Sequence, residues 1–166
     1  MSKSKQYPPL VEKTILFLVN NKVKFEIIEH KEIDGTQSED LVKALNVPLN
    51  HIIKVLLWKL RGGKFVLTVL SGDQRLDKSI LKQYLQKKVD RLANKDELIK
   101  ITGYEAGGIP PILLISDVPC FVDEHLMELE WVIGSAGSPY YGLKLDPVDI
   151  RRLMNAKVVN LRLNSF

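Results

Sequence analysis

The chain reads as a mixed α/β protein with a largely antiparallel, barrel-like sheet of about seven strands surrounded by helices, and three observations carry that reading. Strand-like segments return in hairpins, as in 51–60, the turn Arg61-Gly62-Gly63-Lys64 and 65–70, rather than in strict strand–helix–strand units. Helix-capping residues punctuate them at Thr36, Asp77, Asn94 and Asp146. The 166 residues are 45% apolar and 27% charged, enough to bury one core, and predict a single domain over residues 1–166.

Residues 9–21 carry Leu10, Thr14, Phe17 and Leu18 at helical spacing, with Asn20-Asn21 as a stop. Val23, Phe25 and Ile27 then alternate as a half-buried strand ending near His30. Thr36-Gln37-Ser38-Glu39 fits a capping box, in which a hydroxyl and a carboxylate three residues later satisfy the free amides of a helix start; Leu41, Val42 and Leu45 follow as its apolar face. After the hairpin 51–70, Asp77 caps a helix with Ile80, Leu81, Tyr84 and Leu85, 89–92 is a short strand, and Asn94 with Glu97 opens a helix through Ile101. Strands are expected at 112–115 and 119–122, a helix near 124–129, and a strand at 131–133 that enters a small-residue loop over 134–139. Residues 140–145 pair with it, Asp146-Pro147 starts a last helix to about Asn155, and Val158, Leu161 and Leu163 supply a final strand.

Composition excludes several classes. No apolar run reaches the roughly 18 residues of a membrane span and the N-terminal nine residues lack a signal-peptide core, which predicts a cytoplasmic protein with no membrane association. Cys120 is the only cysteine, and His30, His51 and His125 are scattered, so neither a disulfide nor a metal site is expected. There is no GxSxG elbow, P-loop or His-Glu pair at metal spacing. A formal charge of +4 favours a polyanionic partner without naming one.

Two features remain. In 51–60 the period of two places Lys54 on a face with Ile52, Leu56, Trp58 and Leu60. The ammonium either snorkels to water along its stem or projects into a pocket, as a cation for phosphate or a developing oxyanion or, with a lowered pKa, as a base. The second feature is Gly103-Tyr104-Glu105-Ala106-Gly107-Gly108-Ile109-Pro110-Pro111, where glycines widen and prolines restrict the backbone. It is either an ordinary turn or a stiff loop whose amides and carbonyls face a ligand.

The ordered set Ser38-Glu39-Asp40, Ile53-Lys54-Val55-Leu56, Ser71 through Asp77, Thr102-Gly103-Tyr104, Gly107 through Pro111, Ser135-Ala136-Gly137 and Leu145-Asp146-Pro147 resembles the YbaK/ProX family of aminoacyl-tRNA deacylases. That family includes the editing domain inserted in bacterial prolyl-tRNA synthetases, and the resemblance spans about 25–153. It implies a free-standing factor that hydrolyses the ester joining a wrong amino acid to a tRNA 3′ end, without metal or other cofactor. It implies that Lys54, Gly107 and Pro111 line the pocket and that the glycine-rich loop near Gly137 closes it; on that basis Lys54, Gly107 and Gly108 are the expected catalytic residues, and Ile109, Pro111, Ser135, Gly137 and Ser138 the expected substrate-binding ones. Aminoacylated tRNA is the implied partner, with an aminoacyl-tRNA synthetase as a second. Many members have Thr at Val55 and Ser at Pro110, and some have a His-Asp pair where Ser138-Pro139-Tyr140-Tyr141 stands here. The alternatives are a non-catalytic tRNA-binding or regulatory protein of the same fold, and a hydrolase of simple esters.

Overall fold

A computed structural model describes residues 4–30, 38–113, 115 and 117–164. Helix α1 (Pro9–Asn20) begins on a proline, whose fixed φ suits a first helical turn. Its buried face is Val11, Thr14 and Leu18, one position round from the expected stripe: Leu10 and Phe17 are part-exposed. Strand β1 (Phe25–Glu29) and helix α2 (Ser38–Leu45) follow, and Thr36 of the expected capping box lies outside the described residues. Strands β2 (Ile53–Leu60) and β3 (Phe65–Ser71) form the expected hairpin.

Helix α3 (Lys78–Leu85) is capped by Asp77, whose carboxylate accepts from the Ser79 amide at 3.0 Å. After β4 (Val89–Leu92), helix α4 (Lys95–Thr102) opens with the full capping box of Asn94 and Glu97. Strand β5 (Cys120–Asp123) leads through a 3₁₀ turn (Glu124–Glu128) to β6 (Val132–Ser138) and β7 (Tyr141–Leu145). Asp146 caps α5 (Pro147–Leu153), and β8 (Lys157–Val159) ends the ordered elements.

The strands form two sheets among the described residues, a three-stranded one in the order β1-β7-β6 and a five-stranded one in the order β4-β2-β3-β5-β8. This corrects the expectation of one barrel-like sheet. β5 runs parallel to β3 and to β8, which hairpins alone cannot produce. The ladder that would close a barrel is interrupted. The edge of β2 away from β3 pairs with β4 only over Trp58–Leu60, and it meets β6 at a single isolated bridge between Ile52 and Ile133.

The largest core lies between the sheets, where Ile53, Leu57, Leu67 and Val69 pack with Val132, Leu143 and Leu145 and with Val11 and Leu18 of α1. On the other face of the larger sheet, Trp58, Leu60, Val66, Leu70 and Phe121 pack with Leu81 of α3. Trp58 Nε1 donates to Thr68 Oγ1 there at 2.9 Å, so the buried indole keeps its hydrogen bond.

The helix expected near 124–129 is the 3₁₀ turn, Leu161 and Leu163 lie outside β8, and two further segments depart more fully from their expected form. Pro111-Ile112 is a turn, and Leu113 and Ile115 lie outside any strand; Leu114 lies outside the described residues. The run is apolar because it packs on the main core from a loop, with Ile112 buried and Leu113 and Ile115 half-buried against it, and the prolines just before it cannot donate to a ladder. Conversely, most of the small-residue segment 134–139 belongs to β6, whose pairing with β7 shifts between Ser135 and Ser138 as at a bulge.

Candidate functional site

The interruption along β2 is occupied by a cavity of about 220 Å³. Its walls come from four places: Ile53, Lys54, Val55 and Leu56 of β2; Ser38 and Leu41 of α2; Ala106, Gly107 and Ile109 of the glycine loop; and Ile133, Gly134, Ser135, Pro139 and Tyr141 of the β6–β7 hairpin, with His30 beside them. The volume is below the roughly 300–1,000 Å³ of drug-sized sites and on the scale of one amino acid.

Lys54 and Gly107 therefore meet in one cavity, from elements more than fifty residues apart. Lys54 is half-buried. Burial pushes its pKa below the usual lysine value near 10.5 and Arg75 adds to this, while Asp73 and Glu39 oppose it by favouring the charged form. Asp73 is positioned by the Ser71 hydroxyl, which donates to its carboxylate at 2.7 Å. Asp73 and Arg75 come from the loop after β3 and Glu39 from the start of α2, two segments that meet where a Cβ on Gly72 would lie 2.6 Å from Ser38 Oγ.

The backbone of β2 contributes as well. Leu60 exchanges hydrogen bonds across the hairpin turn, its amide donating to the Lys64 carbonyl at 2.7 Å, whereas the Leu57 carbonyl accepts from Ala93 on the opposite edge at 2.9 Å. Antiparallel alternation then puts the amide and carbonyl of Val55 on the edge of Leu57, away from β3 and toward the cavity.

The glycine loop reaches the cavity through a tight turn. The Gly108 amide donates to the Glu105 carbonyl at 3.0 Å and Gly107, at the third position, has φ +78°, the conformation a type II turn requires there and that side chains resist. Gly134 allows the close approach of the opposite wall: a Cβ on it would lie 3.1 Å from Pro111 Cγ and 3.2 Å from Ile53.

Of the residues proposed from sequence, Lys54, Gly107, Ile109 and Ser135 line the cavity. Pro111 stands behind Gly134, and a Cβ on Gly108 would face Pro139 and the Gly137 carbonyl, so both support the wall without forming it. Gly137 is not on a closing loop. It lies in β6 with φ +112° against α1, where a Cβ would fall 2.8 Å from the Leu10 carbonyl oxygen. The hydroxyls of Ser135 and Ser138 tie the bulge together: Ser135 donates to the Ser138 carbonyl at 3.0 Å and Ser138 accepts from the Tyr140 amide at 3.3 Å. Pro110 lines a separate cavity with Lys13, Phe17 and Tyr104, whereas Val55 lines the cavity of Lys54.

His30, Ser38, Gly134, Pro139 and Tyr141 are cavity residues that local pattern did not single out. Ser38 stood in the family-like motif, and His30 at the strand end was a visible signal. The other histidines are elsewhere: His51 Nδ1 lies 2.8 Å from the Trp131 carbonyl and His125 lies 3.3 Å from the buried Asp123 carboxylate. Cys120 is buried in the core and its thiol is pushed up to about 12 by burial, which keeps it protonated and unreactive.

The model of the aminoacyl-tRNA editing domain matches residues 32–153. A proposed Cys-tRNA(Pro)/Cys-tRNA(Cys) deacylase of Enterococcus faecalis, EbsC, is 30% identical over 77% of this chain and 78% of that protein. A proline–tRNA ligase of Sulfurihydrogenibium is 35% identical over 62% of this chain, which spans only 18% of the ligase. Among solved structures, a proposed trans-editing enzyme for prolyl tRNA synthetase superposes with a TM-score of 0.81 at 21% identity, over 96% of this chain and all of that one, which establishes the shared fold.

Proposed function

Because the chain belongs to the aminoacyl-tRNA editing domain family, we propose that it deacylates mischarged aminoacyl-tRNA as a free-standing hydrolase, with residues 1–166 acting as one editing domain. The observation that carries this reading is the convergence of Lys54, the Val55 backbone edge and the Gly107 turn on one cavity of amino-acid size.

In this reading the aminoacyl group enters between Gly107, Ile109 and Gly134, with its ester carbonyl toward β2. Lys54 and the Val55 amide stabilise the oxyanion that develops when water attacks, a stabilisation worth far more in a partly desolvated site than in water. The Gly107–Gly108 backbone orients the amino acid and the water. The terminal ribose hydroxyl of the tRNA passes the proton from the water to the leaving oxygen, so that no protein nucleophile is needed. Such a second site has a purpose: a synthetase pocket rejects a slightly smaller amino acid by only about 1–3 kcal/mol, and hydrolysis of the errors supplies the rest. The small cavity is the sieve, selecting on side-chain volume. A proline–tRNA ligase is the synthetase whose errors it would correct, since its relatives include both that ligase and a protein named as acting on Cys-tRNA(Pro).

The test is a panel of tRNAs charged with cognate and non-cognate amino acids, with free amino-acid esters alongside. Release from at least one small-side-chain mischarged tRNA, and slow or no release from the free esters, is expected. Binding without release from any member would replace the proposal with a non-catalytic tRNA-binding role.

A further inference from the structure

The cavity accounts for Lys54 but not for a cluster of cations at the far end of the same strand. Segments 59–65 and 86–92 contain Lys59, Arg61, Lys64, Lys87, Lys88 and Arg91 against one carboxylate, Asp90. Glu97 from α4 pairs with Lys59 at 3.0 Å and with Arg91. Arg61, Lys64, Lys87 and Lys88 are all exposed, and none has an ion pair among the described residues.

They come together for a structural reason. The tip of the β2–β3 hairpin lies beside the turn between α3 and β4, where the Arg61 amide donates to the Lys88 carbonyl at 2.8 Å and Lys87 Nζ lies 3.6 Å from where a Gly62 Cβ would be. β4 covers the same edge of β2 that is open at the cavity, so cavity and cluster lie along one edge. Arg61 follows Lys54 by seven positions, about 23 Å of extended strand. The four cations equal the formal excess of the whole chain, +4.

We propose that Arg61, Lys64, Lys87 and Lys88 form a docking surface for the phosphate backbone of the RNA duplex adjoining the aminoacyl end held in the cavity. This rests on the editing reading for the occupant of the cavity. A single strand leaving the cavity along β2 passes β4, and the duplex behind it meets the cluster. One guanidinium and three ammoniums on an open, exposed surface, with no Asn, Gln or aromatic side chain counted among them, suit phosphate contacts that position a duplex without reading its sequence. Binding is therefore general for tRNA, and selection of the amino acid stays with the cavity.

The test compares wild type with the Arg61→Ala/Lys64→Ala/Lys87→Ala/Lys88→Ala variant, measuring the Kd for deacylated tRNA across salt and for a short single-stranded RNA ending in CCA. The melting temperature serves as the folding check. The variant is expected to bind tRNA at least tenfold more weakly near 100 mM salt, with a log–log salt slope flatter by about 2–4, each lost phosphate contact removing roughly 0.7–0.9. Its affinity for the short strand should fall less than twofold. An unchanged tRNA Kd and slope overturns the proposal. So does an equal loss on neutralising Lys22, Lys24 and Arg151, which would show bulk charge at work, or a wild type that does not bind tRNA. Failure of editing reads differently: tRNA binding depends on the cluster, yet no mischarged tRNA is hydrolysed.

Discussion

Gly137→Ala is the substitution whose cost the structure fixes most sharply. A methyl group there faces two obstacles. At φ +112° a side chain is strained by about 1–3 kcal/mol. The added Cβ would also sit 2.8 Å from the Leu10 carbonyl oxygen, 3.0 Å from its carbon and 3.2 Å from Thr14 Oγ1. Those atoms are helix backbone and a buried hydroxyl that already donates to Leu10, so α1 must move, at an overpacking cost of about 1–3 kcal/mol. The sum is about 2–6 kcal/mol, which for a chain of this size lowers the melting temperature by about 5–20 °C. Gly142→Ala is the internal comparison: its Cβ would meet Ile133 Cγ2 at 3.3 Å with no positive φ, so it should shift the midpoint by less than about 4 °C. Differential scanning fluorimetry followed by urea titration measures both. If Gly137→Ala melts within 2 °C of wild type, the contact of β6 with α1 is not what holds the hairpin, and the structural role assigned to Gly137 is wrong.

Further outcomes concern titratable groups. Cys120, with its thiol pushed up to about 12, should resist a thiol reagent at pH 8 in the native state and react fully in denaturant, and Cys120→Ala should keep its turnover. Glu97 is held down to about 2 by Arg91, the Asn94 amide and Lys59. A carboxylate with a depressed folded pKa stabilises the fold above its ordinary value of 4.5 and loses that contribution as pH falls toward 2. Glu97→Gln should therefore melt below wild type at pH 7 and converge with it near pH 2. Lys54 has the opposite sense: its lowered pKa means the unfolded chain binds the proton more tightly, a penalty present below the folded pKa and relieved as pH rises toward 10.5. Lys54→Met should be at least as stable as wild type at pH 7, with the difference shrinking in alkali.

Local chemistry made much of the fold legible. The alternation of 51–60 and 65–70 with Gly62-Gly63 between them specifies β2 and β3, and Asp77, Asn94 and Asp146 mark helix starts because few other residues satisfy free amides. Lys54 announced itself as a cation on an apolar strand face. What failed was local pattern that has two physical causes. Ile112, Leu113 and Ile115 are apolar because they pack on the core from a loop, and a short apolar run does not distinguish loop from strand. Gly134 and Gly137 are small because Pro111, Ile53 and Leu10 press against them, which composition alone presents as a loop. The two sheets meet at the isolated Ile52–Ile133 bridge, a contact between residues 81 apart that no local pattern reports. The same bridge brings Gly134, Pro139 and Tyr141 to Lys54, and so the far wall of the cavity was not readable in advance.

The central claim is that the Lys54 cation stabilises the reacting ester in the cavity it shares with Gly107. Single-turnover hydrolysis of a mischarged tRNA accepted by wild type, repeated with Lys54→Met, tests it most directly. Loss of one oxyanion-stabilising group costs about 10²–10³ in rate, so a drop of that size with no fall in melting temperature is expected. A variant that hydrolyses the same tRNA within threefold of wild type would contradict the claim.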